Sequence, residues 1–238
     1  MRVGVLTGLA AEARLLTNVL FDGKAELRIV RTGADPERAR REAEDLVDAG
    51  VSALVSFGVA GGLCPSLDAG DLILADRVIL ADGRAIAADA AWVRLARQRL
   101  GKPGHKTVIG PVAASSRLLV TPAEKRQLCE LSGGIAGDME SGAVAAVAEE
   151  AGLPFLVVRA VSDGATRALP RVARVPLRPC GGISAGSIAH ALVTSPREWP
   201  AVARLAMETR AALATLRGVV HTGALLPPYL AGMEKPAA

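Results

Sequence analysis

Four acidic residues are placed where they could do acid–base chemistry: Glu12, Asp138, Glu140 and Asp163. Glu12 follows a short β-rich run, Asp138 and Glu140 lie between a strand-like and a helix-like segment, and the fourth residue ends an almost wholly apolar run. Strand ends in an open α/β sheet border the crevice in which ligands bind. Each residue also has an ordinary structural interpretation, as a solvated helix residue, a charge at a helix N-terminus or a turn residue.

Cysteine and histidine offer less chemistry. Cys64, Cys129 and Cys180 are far apart and odd in number, and the three histidines are equally scattered. This spacing fits neither a disulfide framework nor a CxxC metal site. We therefore expect no structural metal and assign the chemistry to the carboxylates.

Glycine is concentrated in the segment Gly58-Val59-Ala60-Gly61-Gly62, which is predicted to be a turn after a buried strand. These glycines could let the backbone approach a ligand closely, or could simply form a tight strand exit. The segment lacks the Lys and the hydroxyl residue that a phosphate-binding P-loop requires after its last glycine, and the dinucleotide-binding fingerprint is also missing.

The elements that must position these residues alternate along the chain. Apolar runs predict strands at 2–7, 26–31, 51–57, 71–80, 107–112, 135–139 and 154–161, and helical spacing predicts helices at 10–20, 35–49, 88–100, 121–131, 141–151 and 198–220. The predicted fold is a single α/β domain, residues 1–221, with a central mixed, largely buried sheet flanked by helices. Residues 222–238 are predicted to be a C-terminal tail.

Composition excludes several classes of function. Only 3% of the 238 residues are aromatic, and the net charge of +4 is not gathered into a single-sign block, so we expect no nucleic-acid partner. No apolar run approaches the ~18 residues needed to span a bilayer. The sequence opens on a strand-like segment without a signal-peptide pattern, so the expected localisation is cytoplasmic.

The stretch 164–197 differs from the rest of the chain. It contains five arginines, no Asp or Glu, and several prolines that break regular structure. Apolar residues such as Leu169 and Val172 are interleaved with these charges. Such a mixture suits the surface of an anionic membrane and predicts a peripheral contact at its inner face, although a solvated loop is the alternative.

Taken together, four motifs resemble the superfamily of nucleoside phosphorylases and methylthioadenosine/S-adenosylhomocysteine nucleosidases. They are Val3-Gly4-Val5 with Glu12, the glycine segment 58–62 followed by Gly70-Asp71, Asp138-Met139-Glu140, and the run from Val157 to Asp163. They occur in the family's order and cover residues 1 to about 165.

The resemblance implies an enzyme that cleaves the N-glycosidic bond of an adenine nucleoside without metal or organic cofactor. Glu12 would activate a water molecule, and Asp163 would donate a proton toward N7 of the purine. The implied substrate-binding residues are Gly61, Asp138, Met139, Glu140, Arg159, Ser162, Arg117 and Leu118, with Met139 and Glu140 on the ribose and the last two near the adenine. Such an oxocarbenium-forming cleavage does need a base on one face of the sugar and an acid at the leaving group.

Three departures favour water over phosphate as the nucleophile. The family's phosphorylases carry an Arg at the position of Glu12, another near Ser56, and a Ser where Val59 stands. A phosphate dianion beside a carboxylate, without those arginines, would be poorly compensated. Phosphorolysis stays the first alternative.

A narrower resemblance points to the hopanoid-associated branch, which acts on adenosylhopane. It is carried by residues 120–123, 137–141 and the Arg/Pro-rich stretch that ends in Ala168-Leu169-Pro170. It implies a lipid-linked adenine nucleoside as substrate and a homodimer as the assembly. The remaining alternatives are a methylthioadenosine/S-adenosylhomocysteine nucleosidase and a non-catalytic purine-binding protein.

Overall fold

A computed structural model describes residues 1–17, 25–101, 104–175 and 194–228. Its strands are β1 (Arg2–Thr7), β2 (Glu26–Arg31), β3 (Ala53–Gly62), β4 (Leu72–Ile79), β5 (Ala85–Ala87), β6 (Thr107–Ala114), β7 (Ala136–Asp138) and β8 (Phe155–Asp163). Its α-helices are α1 (Ala10–Leu16), α2 (Pro36–Asp48), α3 (Ala90–Arg99), α4 (Pro122–Ser132), α5 (Ser141–Glu150) and α6 (Trp199–Val220). Two short 3₁₀ turns span Arg171–Arg174 and Pro196–Glu198.

The eight strands form one mixed sheet, part of which closes into a ring. The ring runs in the order β3, β8, β4, β6, β7, and β7 pairs back onto β3. Strands β1 and β2 extend the sheet from β3, and β5 borders β4. This is the single α/β domain with a mixed, buried sheet that the sequence predicts.

Strand β8 lies at the centre of this arrangement. All nine of its residues are buried, and it pairs parallel with β3 on one side and antiparallel with β4 on the other. A strand covered on both faces is expected to be apolar throughout. The polar residues at Arg159, Ser162 and Asp163 are therefore exceptions that need partners.

Local sequence signals fix the ends of the helices. The Asp35 side chain accepts hydrogen bonds from the backbone of Glu37 and Arg38 at the start of α2. Thr121 and Glu124 form a capping box at the start of α4, and Gly133, with a φ of 68°, ends that helix. These signals were sufficient to predict both helices.

The glycine segment corrects the sequence interpretation. Residues Gly58, Gly61 and Gly62 do not form a turn, because β3 continues through them to its end at Gly62. None of the three has a positive φ. At Gly58, the absence of a side chain allows buried side chains to pack directly against the backbone of β3.

The start of the predicted tail packs against the domain. Ala224 and Leu225 are fully buried, the indole of Trp92 donates to the Ala224 carbonyl at 3.1 Å, and Arg99 donates to the carbonyls of Gly223 and Leu226. Residues 229–238, and 176–193 of the basic stretch, lie outside the described residues. Among the helices that are described, none has the length and apolarity to cross a membrane.

Candidate active site

Three connections of the fold bring the predicted site residues together. Glu12 lies in the first turn of α1 directly after β1, and Glu140 lies between β7 and α5. Arg159 lies within β8, and Asp163 is the last residue of that strand. All four side chains are buried, with at most 6% of their surface exposed.

Glu12 is held by backbone donors. Its Oε1 accepts from the N–H of Val59 at 2.8 Å, and its Oε2 accepts from the N–H of Leu9 at 2.8 Å. Burial raises the pKa of Glu12 above its usual 4.5, against the lowering effect of Arg159 and of the backbone donors. A carboxylate with a raised pKa and a fixed orientation is suited to act as a base.

Gly58 is the glycine on which this geometry depends. A Cβ atom there would lie 2.6 Å from Oε1 of Glu12 and 2.6 Å from Nη1 of Arg159. Both groups therefore pack directly over the backbone of β3. A real side chain at this position would displace one of them.

Arg159 is fully buried and gathers several partners. Its Nε contacts Oδ2 of Asp138 at 2.5 Å, and its Nη2 donates to Ser56 Oγ at 2.5 Å and to Glu140 Oε2 at 3.2 Å. Burial works against the charge, but the surrounding carboxylates raise the pKa of Arg159 above its usual value. Nη1 has no hydrogen-bond partner among the described residues. Because this buried donor lies beside Glu12, it can hold a small polar ligand there.

Asp138 positions its neighbours through hydrogen bonds to both of its carboxylate oxygens. Oδ1 accepts from the backbone N–H groups of Glu140 and Ser141 at 3.0 and 2.7 Å, and Oδ2 accepts from Arg159 and from the Ser141 hydroxyl. The carboxylate therefore fixes both Arg159 and the start of α5. The sequence predicts Asp138 as a substrate-binding residue, and in the structure both of its oxygens already accept two hydrogen bonds from this chain.

Glu140 faces two other carboxylates. Burial, together with Asp138 and Glu12, raises its pKa to about 8, although Arg159 acts in the opposite direction. Its Oε1 would lie 2.6 Å from a Cβ atom at Gly8, so the turn after β1 packs against it. Met139, the residue before it, is half-buried. One guanidinium thus faces three carboxylates, and the cluster is expected to retain a proton at neutral pH.

A β-bulge shapes the end of β8. Ala60 pairs with Val161 and Gly61 with Asp163, so Ser162 is an extra residue on β8. Successive strand residues normally point to opposite faces, yet the Ser162 hydroxyl donates to Oδ1 of Asp163 at 2.7 Å. The bulge therefore places both side chains on one side. Gly61 lies opposite Asp163. A Cβ atom at Gly61 would lie 3.7 Å from Oδ2 of Asp163.

Lys125 is a site residue that the sequence analysis missed. Its side chain is fully buried, and its Nζ forms an ion pair with Oδ2 of Asp163. It lies on the inward face of α4, one turn before the partly buried Leu128. A lysine on the apolar face of a predicted helix is the signal that could have identified it.

Arg117 and Leu118 lie apart from these buried groups. The Arg117 guanidinium pairs with Glu124 at the surface, and Leu118 is 41% exposed. Their loop nevertheless borders the site through its backbone, because Ser115 N–H donates to the Asp138 carbonyl at 2.7 Å. The predicted role of Arg117 and Leu118 near the adenine therefore stays a prediction.

A cavity of about 310 Å³ opens beside Asp163. It is walled by residues 166–170 and by one face of α6 that includes Ala201, Leu205 and Glu208. Its lining mixes apolar residues with polar and charged ones, and its volume lies at the lower end of the range for small-molecule sites. Along β3, Gly58 and Gly61 are three residues apart, roughly 10 Å, so a ligand can lie between Glu12 and Asp163.

Comparisons with known proteins identify relatives of this chain. A family model described as the phosphorylase superfamily matches residues 10–175. A 5′-methylthioadenosine/S-adenosylhomocysteine nucleosidase from Mycobacterium tuberculosis is 27% identical over 216 residues, covering 68% of this chain and 85% of that protein. An enzyme of the same name from Geobacillus thermodenitrificans is 31% identical over 131 residues, which are 46% of this chain and only 54% of that relative.

A solved structure shows the same fold. The S-adenosylhomocysteine nucleosidase from Streptococcus pyogenes, in complex with 5-methylthiotubericidin, superimposes with a TM-score of 0.68 at 21% identity. The match covers 92% of this chain and 95% of that one. The α/β fold predicted from the sequence is confirmed. Because the family model spans well over half of the sequence, this chain belongs to the phosphorylase superfamily.

Proposed function

We propose that this protein hydrolyses the N-glycosidic bond of an adenine nucleoside. It is an enzyme of the N-glycosidase class, in keeping with its superfamily and with relatives that are named nucleosidases. The observation that carries the proposal is the pairing of two buried carboxylates with different surroundings. Glu12 lies beside the unpaired Nη1 of Arg159, and Asp163 lies beside Lys125 at the end of β8, next to the cavity.

Glu12 is the proposed general base. A water molecule between Oε1 of Glu12 and Nη1 of Arg159 would lose a proton to the carboxylate as its oxygen attacks C1′ of the ribose. The guanidinium contributes a donor but accepts no proton, so it orients the water. The backbone donors from Leu9 and Val59 keep Glu12 in place during this step.

Asp163 is the proposed general acid. As the C1′–N9 bond breaks, its electron pair passes to the purine, and a proton from Asp163 reaches N7. The cavity beside Asp163 has room for the departing base. A proton transfer of this kind is typically worth about 10²- to 10⁴-fold in rate.

Glu140 and Met139 are the proposed ribose contacts. Glu140 lies between Gly8 and Arg159, next to the position assigned to the attacking water. Its carboxyl group can exchange hydrogen bonds with the 2′- and 3′-hydroxyls. Met139 is half-buried beside it and can cover the sugar ring.

The charges around Arg159 favour water over phosphate. A phosphate dianion in this position would face Glu12, Asp138 and Glu140, while two of the three guanidinium nitrogens of Arg159 are already engaged. Ser56, near which the phosphorylases of this family carry an arginine, accepts hydrogen bonds from Arg159 and from the Ser141 hydroxyl. An incoming anion would be poorly compensated.

The test measures adenine release from methylthioadenosine with and without phosphate, together with the identity of the sugar product. We expect a free sugar at a rate independent of phosphate. A sugar 1-phosphate as the product would contradict the hydrolytic mechanism. Binding of adenine nucleosides without turnover would support the purine-binding alternative.

The finer part of the proposal is the substrate adenosylhopane, acted on by a homodimer that contacts the membrane peripherally. It is supported by the sequence resemblance and by the apolar wall at Leu169 of the cavity beside Asp163. The basic stretch is partly balanced, since Arg167 and Arg171 approach Glu208 and Glu198 at 3.6 Å. Arg178 lies outside the described residues.

This part is tested with adenosylhopane in anionic liposomes. We expect faster adenine release from it than from methylthioadenosine, and co-sedimentation with the liposomes that weakens as salt is raised. Equal sedimentation with neutral and anionic liposomes would contradict the membrane contact. Analytical ultracentrifugation tests the homodimer.

A further inference from the structure

Lys125 is buried at a position where helix formation alone gives no reason for a lysine. Its side chain has no exposed surface, and it is the fourth residue of α4. A cation near a helix N-terminus is opposed by the helix dipole. Replacing a buried ion pair by apolar residues is often neutral or stabilising, so the pair gives no clear advantage in stability.

All three donors of the Lys125 ammonium are engaged around the end of β8. Besides the carboxylate of Asp163, they reach the carbonyl of Gly164 at 2.8 Å and the carbonyl of Arg167 at 3.2 Å. The amine thus ties α4 to Asp163 and to the first residues of the loop that walls the adjacent cavity. Its only ionic partner in the described part of the chain is the proposed general acid.

The hydrogen bonds on Asp163 define what Lys125 can do. Oδ1 accepts from Ser162, and Oδ2 accepts from Lys125. Both oxygens are therefore acceptors, and the proton that a leaving purine needs lies in the Nζ–Oδ2 hydrogen bond. Both groups are buried and hydrogen-bonded directly to each other, so that proton can pass to the carboxyl group without an intervening water.

We propose that Lys125 acts in the reaction through Asp163, as the residue that orients the carboxyl group and supplies its proton. This inference rests on the proposed nucleosidase function. An N–H bond of Lys125 breaks and an O–H bond forms on Asp163; that O–H bond then breaks as N7 of the purine gains the proton. Lys125 is left neutral with a lone pair, and water restores its proton after the base departs.

The experiment compares Lys125→Met with Lys106→Met, using methylthioadenosine and adenosine as substrates. Lys106 is an exposed lysine that donates to a backbone carbonyl, so it is a matched control. We expect Lys125→Met to lower kcat about tenfold or more with little change in KM, and Lys106→Met to leave both unchanged. An unchanged kcat in Lys125→Met overturns the inference. Failure of the wild-type protein to release adenine from these substrates and from adenosylhopane instead overturns the proposed function.

Two further variants separate action through Asp163 from a general loss of structure. In the Asp163→Asn background, Lys125→Met should cost less than about twofold, because the group through which it acts is already removed. Full additivity of the two losses in kcat would contradict the inference. Lys125→Gln keeps a neutral donor that has no proton to give, so it should retain the wild-type KM but not kcat. Like Asp163→Asn, it removes one partner of the buried ion pair and should also lower the melting temperature. A wild-type kcat would contradict proton supply.

Discussion

The backbone N–H of Val59 donates to Oε1 of Glu12 at 2.8 Å, although 47 residues separate the two along the chain. The carboxylate of α1 is therefore fixed by β3, a strand of the closed ring. Gly58 makes this approach possible because it has no Cβ. The position of the proposed base thus depends on a residue that takes no part in chemistry.

Gly58→Ala should lower kcat/KM by about 10²-fold, because the new Cβ must displace Glu12 or Arg159. Steady-state kinetics on methylthioadenosine measures the loss. Gly218→Ala is the matched control: Gly218 lies within α6 with nothing near its ideal Cβ position, so we expect unchanged kinetics and about 0.5–1 kcal/mol of added stability. Unchanged kinetics in Gly58→Ala would show that the position of Glu12 does not depend on this glycine.

Glu12→Gln should abolish the acid limb of the pH–rate profile as well as most of the turnover. A base must be ionised, and burial raises the pKa of Glu12, so activity in the wild-type protein should rise with pH through a value above 4.5. Profiles of kcat/KM from pH 4 to 9 measure this. Glu130→Gln on the exposed side of α4 serves as control, and persistence of the limb in Glu12→Gln would assign it to another group.

Asp163→Asn should lower kcat by about 10²-fold or more and should also lower the melting temperature. The amide cannot deliver a proton, and it leaves the ammonium of Lys125 buried without its counter-charge. Adding Lys125→Met should restore part of the lost stability but none of the activity. Recovery of activity in the double variant would contradict the acid role of Asp163.

Glu140 should make the protein less stable as the pH rises. Its carboxyl group has a pKa of about 8 in the folded state and an ordinary value near 4.5 when unfolded. Between these values the folded state binds a proton that the unfolded state has lost, so the free energy of unfolding falls with increasing pH. Denaturant unfolding from pH 5 to 9 should show a smaller decrease in Glu140→Gln than in the wild-type protein. If the free energy of unfolding fell equally with pH in both proteins, Glu140 would be ionised in the folded state across this pH range.

Much of the site could be predicted because its residues follow recognisable elements. Glu12, Glu140 and Asp163 each come after a strand that apolar runs reveal, and strand ends gather at one edge of a sheet. The caps at Asp35 and Thr121 likewise carry their own short-range signals. Where an element is determined by residues close together in the chain, residue type and spacing were sufficient to predict it.

The remaining features depend on contacts that are distant in sequence. The strand conformation of Gly58 is set by the pairing of β3 with β8, whereas glycine-rich segments locally favour turns. The bulge at Ser162 arises from pairing with β3 and leaves no mark in the apolar run. The burial of Lys125 requires the carboxylate of Asp163, 38 residues away. A strand at 135–139 was predicted, but its pairing with β3, which closes the ring, depends on residues far away in the chain.

The double pairing of β8 has a consequence for how the molecule exchanges its amide hydrogens with solvent. Because β3 and β4 cover both of its edges, the amides of this strand can reach deuterium only when the ring opens as a whole. Strands β2 and β5, at the two ends of the sheet order, can fray alone and should label much sooner. The slowest-labelling peptides should therefore be those that carry Arg159.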